Sequence, residues 1–414
     1  MSPERAARPL PLVIIIVLGA LTAIGPLSLD AYLPAFPAIA LELGVAPAGV
    51  QLSLTACLVG IAVGQLVAGP VSDAVGRRVP LLVGSVGYAA ASLACAFAPD
   101  LVPFVLLRFA QGFLGAVGVV AARAVIRDVA SGAVAVRLYS QLSTAGGLAP
   151  VVAPLFGAAI LLVTEWRGVF VVLAGVGVVL TVLLATLFRE TLPASARRSA
   201  APAATVRGFA ELLADRGFLA ALAIGVCAAV GLFAYISGSS FLLQEQFGAA
   251  PAQFALAFAI NGLGIATLSQ VNARLAPRWG AVRMLRIAFG IQSAAAAGLV
   301  AIALLAPREP EMIPWLMVVF FGLVAPMGVI NPNYIARAMG RARGNAGTAS
   351  ALIGATTFLT GGLVSPLTGL GDPMLSVTAL VVAGAVGGLV LVLAGTRGEA
   401  AVTSEPPPPE TPGA

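Results

Sequence analysis

The sequence has no histidine and no lysine in 414 residues, and its three cysteines, Cys57, Cys95 and Cys227, stand far apart. Without histidine the chain lacks the side chain that most often moves protons or holds metals near neutral pH. Each cysteine falls inside an apolar run and none belongs to a CxxC pair, so neither a disulfide framework nor a metal centre is expected. There is no phosphate-cradling loop of the Walker type, which excludes nucleotide hydrolysis by this chain on its own. No enzyme activity and no cofactor are expected. Charge is also scarce: acidic and basic residues make up 10% of the chain, against about 25% in an ordinary globular domain.

Apolar residues fill the space instead. They account for 59% of the sequence, and the mean hydropathy is +1.02. Stretches near the roughly twenty residues needed to cross a bilayer occur at about 10–36, 48–70, 80–98, 101–125, 138–163, 168–188, 217–242, 252–273, 284–306, 313–336, 346–368 and 374–395. This pattern predicts an all-α membrane protein of twelve transmembrane helices embedded in a lipid bilayer. The first run is too long for a signal peptide and lacks a small-residue cleavage site, so it is read as a retained helix.

Arginine placement orients the spans. Of the 23 basic residues, 20 fall on one side, Arg167 and Arg308 fall on the other, and Arg108 lies within a span. Basic loops stay in the cytoplasm, so both termini are expected there, in the plasma or inner membrane of a bacterial cell. The bacterial assignment rests on the association of a lysine-free, Ala-, Arg-, Gly- and Pro-rich composition with GC-rich genomes. The net charge of +6 is explained by anchoring beside an anionic leaflet, and no nucleic-acid partner is expected.

Hydrophobicity collapses between Phe188 and Phe218, leaving six spans on either side. The expected organisation is an N-terminal six-helix bundle over 1–188, a cytoplasmic linker over 189–216, a C-terminal six-helix bundle over 217–396 and a disordered cytoplasmic tail over 397–414. A shift of 204 residues places the first span on the seventh and Gly76 on Gly280, which suggests an internal repeat. Such repeats are typical of secondary transporters, whose substrate site lies between the halves near mid-membrane. Gly384 and Gly388 offer a small-residue face on the last span that serves internal packing or dimerisation, and a monomer is expected.

Two charges interrupt the spans. Asp30 lies about six residues before the far end of the first run, and Arg108 about six residues after the start of the fourth. Runs crossing in opposite directions bring the two to similar depth, where they could pair. Intramembrane charge usually marks function. Thr22, Pro26 and Asp30 share one face of the first span, bent where Pro26 cannot donate to the Thr22 carbonyl. Burial and a guanidinium neighbour act on the Asp30 proton in opposite senses, which leaves titration near neutrality open to it. One titrating carboxylate suggests one proton per cycle, worth about 2.3 kcal/mol across about 100 mV.

Local motifs point the same way. The short connection Gly69-Pro-Val-Ser-Asp73-Ala-Val-Gly76-Arg77-Arg78 resembles the loop signature of the major facilitator superfamily. By that resemblance Asp73, Arg77 and Asp128 form a cytoplasmic charge cluster, with Gly69 and Gly76 shaping the loop, and Asp73 helps latch the two halves. In the fourth span Arg108, Gln111, Gly112 and Gly115 share one face, like the arginine-glutamine-glycine stripe of the superfamily. Gly146, Gly147, Pro150 and Pro154 of the fifth span resemble the glycine-proline motif of its antiporter branches, with Ala149-Pro150 where Gly-Pro is usual.

A narrower resemblance covers about residues 10–395. Leu29-Asp30-Ala-Tyr32-Leu-Pro34, Trp166-Arg167, Glu190-Thr191-Leu192, the run Ala234 to Gly248, Phe258-Ala-Ile-Asn261-Gly262 and Gly347-Thr348-Ala-Ser350 are similar to the bicyclomycin-resistance (Bcr/CflA) type of drug efflux transporter. The resemblance implies the major facilitator fold and proton-coupled export of small drugs such as bicyclomycin or phenicols, with Asp30 and Arg108 in proton coupling. It also implies a substrate cavity lined by Tyr32, Gln111, Gln141, Tyr235, Gln244, Asn261, Asn331 and Asn333. The residues alone leave open a proton-coupled importer of a metabolite on the same fold, or a channel or membrane receptor.

Overall fold

A computed structural model describes residues 11–130, 132–197, 202–342 and 346–403. Among these residues there are helices and turns but no strands. Among the described residues, helices long and apolar enough to cross a membrane number 12: Leu12–Leu43, Pro47–Val75, Arg78–Ala96, Leu101–Val129, Arg137–Leu161, Trp166–Leu187, Arg216–Gln246, Pro251–Trp279, Ala281–Leu305, Pro310–Gly340, Gly347–Gly369 and Pro373–Ala394. They are numbered here as the first to twelfth spans. Alternate connections fall on an arginine-rich face and an arginine-poor face.

Helix ends follow local chemistry. Pro47 and Pro251 open the second and eighth spans, where a missing N–H costs nothing. Asp100 caps the fourth span by accepting from Val102 N at 3.0 Å, and Asp215 caps the seventh by accepting from Phe218 N at 2.9 Å. The tight reversals at Gly76 and Gly280 have φ of 104° and 77°, which a side chain would resist.

Several expected boundaries are corrected. The second, fourth and eighth spans continue past 70, 125 and 273 to Val75, Val129 and Trp279 at the arginine-rich face, because a helix can carry interfacial charge that a hydropathy criterion discards. Asp73 therefore stands on a helix rather than in the connection, and Asp128 lies in the last turn of the fourth span. The regular first helix ends at Asp30, and the span continues as a tight turn, Leu33–Ala35, and a short helix, Phe36–Leu43. The region between the halves contains a helix, Pro202–Ala214. The last helix runs from Pro373 to Thr403, into the tail expected to be disordered; the rest of that tail lies outside the described residues.

The two six-helix pseudo-repeats use related contacts. Gly60 and Gly64 let the second span touch the backbone of the fourth at Phe109 and Phe113. In the other half Gly328 of the tenth span meets the Ile265 carbonyl of the eighth. Gly384 and Gly388 are consumed internally, against the Cys227 carbonyl and the Phe289 ring.

Burial is divided unevenly. One apolar core at the arginine-poor end draws on both halves, including Phe36, Leu54, Phe104, Phe241, Phe254 and Val377. Toward the arginine-rich end there are two separate cores, one around Leu18, Tyr88 and Val125, the other around Phe218, Phe289 and Ile330. The apolar cores of the two halves are thus shared at one end and separate at the other.

Candidate functional site

Arg108 has no exposed surface, so it does not snorkel to the headgroups. Its Nη2 donates to the Ser28 carbonyl at 2.8 Å, its Nη1 donates to Gln111 Oε1, and its guanidinium lies 4.2 Å from the centre of the Tyr32 ring. Phe170 covers it at 5.5 Å. Gln111 Nε2 donates to Ser92 Oγ at 2.7 Å, and Ser92 Oγ donates to the Tyr88 carbonyl at 2.7 Å. The Tyr88 hydroxyl shares a hydrogen bond of 2.8 Å with Ser28 Oγ. A closed ring of polar contacts therefore ties the first, third and fourth spans around a cation held by dipoles and aromatic faces. Arg108 Nε is buried without a partner.

Asp30 is 5% exposed and is the only buried carboxylate among the described residues. The pairing with Arg108 that depth-matching allows is not formed among the described ion pairs. Ser28 takes the guanidinium, and a residue two positions further on points about 200° away around the helix. Asp30 makes no hydrogen bond among the described residues and lies within electrostatic range of Tyr235 in the other half. Gly157 sets this corner: a Cβ there would collide with the Ala31 carbonyl, so the fifth span's backbone sits directly against the end of the first helix.

The expected cavity residues divide into groups. Tyr32 and Gln111 belong to the Arg108 cage, with the Tyr32 hydroxyl 3.1 Å from Ser53 Oγ. Asn261 Nδ2 donates to the Tyr235 hydroxyl at 2.8 Å, and the Tyr235 ring stacks on Phe258 at 5.1 Å. Gln244 Nε2 donates to Ser240 Oγ at 2.8 Å. Asn333 is spent on helix packing, donating to Asn272 Oδ1 of the eighth span at 2.7 Å. Asn331 is half-buried and Gln141 exposed. In the fifth span the helix Gly132–Leu161 runs unbroken through Pro150 and Pro154; Gly146 faces Thr22, and Gly147 faces open space.

At the arginine-poor end the halves are hydrogen-bonded. Ser240 Oγ donates to the Leu33 carbonyl at 2.7 Å, Gln51 Nε2 to the Ser237 carbonyl at 3.1 Å, and Thr55 Oγ1 to the Gly362 carbonyl at 2.8 Å. Phe36 and Phe241 pack across the same seam with centroids 5.7 Å apart. Gln51, Thr55 and Ser240 carry no charge, and a search for ionisable residues passes over them. Their spacing offers one signal: Gln51 and Thr55 are polar residues four apart in an apolar span, hence on one face.

A charge cluster lies at the other end. Arg77 donates to Asp73 at 2.6 Å and to Asp128 at 2.7 Å, and Arg127 reaches Asp73 at 3.3 Å. Gly69 lies beside Val120 without a tight contact. The ion-pair partners described for Asp73, which is 44% exposed, belong to its own half; the expected latch would lie at the start of the eleventh span, where residues 343–345 are outside the described ones. Glu190, just past the sixth span, accepts from Arg77 N at 2.8 Å, Arg78 N at 3.2 Å and Leu192 N at 2.9 Å. Partial burial acts to raise its pKa, but these backbone donors outweigh that and hold the carboxyl below the usual range.

The family model of the Major Facilitator Superfamily matches residues 18–366. This chain belongs to that superfamily. Among its members the chain is 39% identical to the uncharacterised MFS-type transporter YdgK of Bacillus subtilis, over 86% of this chain and 88% of the relative. It is 32% identical to a bicyclomycin resistance protein homolog of Haemophilus influenzae, with coverage of 86% and 88%. A chloramphenicol resistance protein of Pseudomonas aeruginosa is 28% identical over 76% of this chain and 72% of its own. The major facilitator fold is also seen in the similarity to a D-xylose–proton symporter, with a TM-score of 0.72, 17% identity and coverage of 92% and 96%. The chain is a multi-pass membrane transporter of small molecules.

Proposed function

We propose that this transporter exports small drug-like molecules in exchange for protons by alternating access. The observation that carries the reading is Asp30: a buried carboxylate, free of partners among the described residues, at the seam between two halves that share a core at one end only. Such a group can take up and release a proton as the seam opens and closes. The names of the bicyclomycin- and chloramphenicol-resistance relatives support export of antibiotics. With the arginine-rich face in the cytoplasm, as basic loops favour, the hydrogen-bonded end where the halves share a core faces outward. Bundle boundaries near 188 and 217 and action as a monomer complete the reading.

The test is uptake of labelled chloramphenicol by drug-sensitive cells expressing the wild type, Asp30→Asn or Arg108→Ala, with and without an uncoupler. Exclusion by the wild type that the uncoupler abolishes, and that both membrane-inserted variants lose, is the expected result. Accumulation above that in control cells would instead favour a proton-coupled importer.

A further inference from the structure

The two repeat-related turns at the arginine-rich face differ in charge balance. Around Gly76, Arg77 and Arg127 are neutralised by Asp73 and Asp128, and Glu190 caps the turn. The shift of 204 residues places Pro277, Pro332 and Ala394 where Asp73, Asp128 and Glu190 stand. The turn around Gly280 nevertheless carries Arg274, Arg278, Arg283 and Arg286, all exposed, and no acidic residue occurs in the sequence between Glu245 and Glu309. Among the described ion pairs none includes any of these four arginines. Trp279, 43% exposed, stands among them with Arg283 4.9 Å from its ring. Tryptophan and arginine together at a span's end belong to the headgroup layer. Beside the turn, Ala220, Ile224, Val282, Leu285 and Leu391 line a small cleft of about 50 Å³ with Arg337 at its edge.

We infer that the Gly280 turn is a binding site for the headgroup of an anionic phospholipid, whose phosphate supplies the negative charge that Asp73, Asp128 and Glu190 supply in the other half. Guanidinium groups bind phosphate oxygens in a planar, two-pronged geometry. The apolar cleft at Val282 and Leu285 adjoins the start of the ninth span and receives the first methylenes of an acyl chain. A basic, exposed surface at headgroup depth thereby becomes a specific contact, and the Gly280 turn is braced by lipid where the Gly76 turn is braced by its own carboxylates.

Native mass spectrometry of the detergent-purified full chain tests this, with phosphatidylglycerol, phosphatidylcholine or inorganic phosphate added. Phosphatidylglycerol adducts on the wild type are expected to be about thirtyfold weaker in Arg283→Gln/Arg286→Gln, which keeps Arg274 and Arg278 as topology anchors. An equally neutralised control, Arg189→Gln/Arg207→Gln, is expected to bind like the wild type. Equal binding of phosphatidylcholine, or unchanged phosphatidylglycerol binding in the first variant, overturns the site. Phosphate binding that displaces the lipid assigns the turn to a soluble anion and also overturns it. If the variant does not fold, the wild type decides: phosphatidylglycerol must raise its melting temperature more than phosphatidylcholine does, and equal effects refute the inference.

Discussion

Arg108 donates to the backbone carbonyl of Ser28 at 2.8 Å, and Asp30, two residues further along the same helix, lies outside the cage that holds the guanidinium. A buried cation and a buried anion on facing spans are each accommodated separately, the first by carbonyl, amide and aromatic groups, the second without a described partner.

Asp30→Asn and Arg108→Gln are therefore expected to be nearly additive in thermal unfolding of the purified protein, with a coupling energy below about 0.5 kcal/mol. Arg108→Gln by itself should cost about 1–3 kcal/mol, since it strands buried acceptors. A coupling of several kcal/mol in the double-mutant cycle would show that the two charges pair.

Gly76→Ala is expected to lower stability by about 1–2 kcal/mol, because the backbone there has φ of 104°. The added methyl also collides with Glu190 Oε2, so Gly76→Ala/Glu190→Ala should be less destabilised than the sum of the single changes. Melting temperatures of the four proteins check this, and full additivity would contradict the contact.

Acidification should release the Glu190 cap late. Its pKa is lowered in the folded protein, so its contribution is fully present above the ordinary carboxylate value of about 4.3 and is lost as the pH falls through the lower folded value. Hydrogen exchange at the Arg77 and Arg78 amides, corrected for intrinsic rates, should stay protected at pH 5 in the wild type. Glu190→Ala should lose that protection at every pH.

Ser240→Ala and Gln51→Ala each remove one bond across the closed arginine-poor end, worth about 1 kcal/mol. Each should shift the population toward opening there by about fivefold. Spin-label distances between the first and seventh spans at that end measure the shift, and unchanged distributions in both variants would exclude these bonds as a closure.

Under the proposed exchange, the single buried carboxylate among the described residues suggests one proton per cycle, so exchange for a monovalent cation would move no net charge. Collapsing the membrane potential at fixed pH gradient is expected to leave cation export intact while slowing export of a neutral drug. Loss of cation export under that treatment would show that more than one proton moves.

Composition determined the class, because spanning a bilayer demands long apolar runs that leave little room for anything else. The number of spans and the turn glycines Gly76 and Gly280 were legible because their signals are local in sequence, whereas Asp128, 51 residues from Arg77, was joined to Asp73 and Arg77 only through the resemblance to the superfamily. What only the tertiary structure decided depends on azimuth and on contacts between distant segments. Depth along a span follows from counting residues, which brought Arg108 level with the end of the first span. Rotation about the helix axis decided that it meets Ser28 rather than Asp30. Asn333 looked like a cavity residue until the eighth span supplied Asn272, and the neutral closure at Gln51, Thr55 and Ser240 exists only where two halves some two hundred residues apart come together. Hydrogen bonds to backbone carbonyls carry no sequence signature on the accepting side, since every residue offers that acceptor.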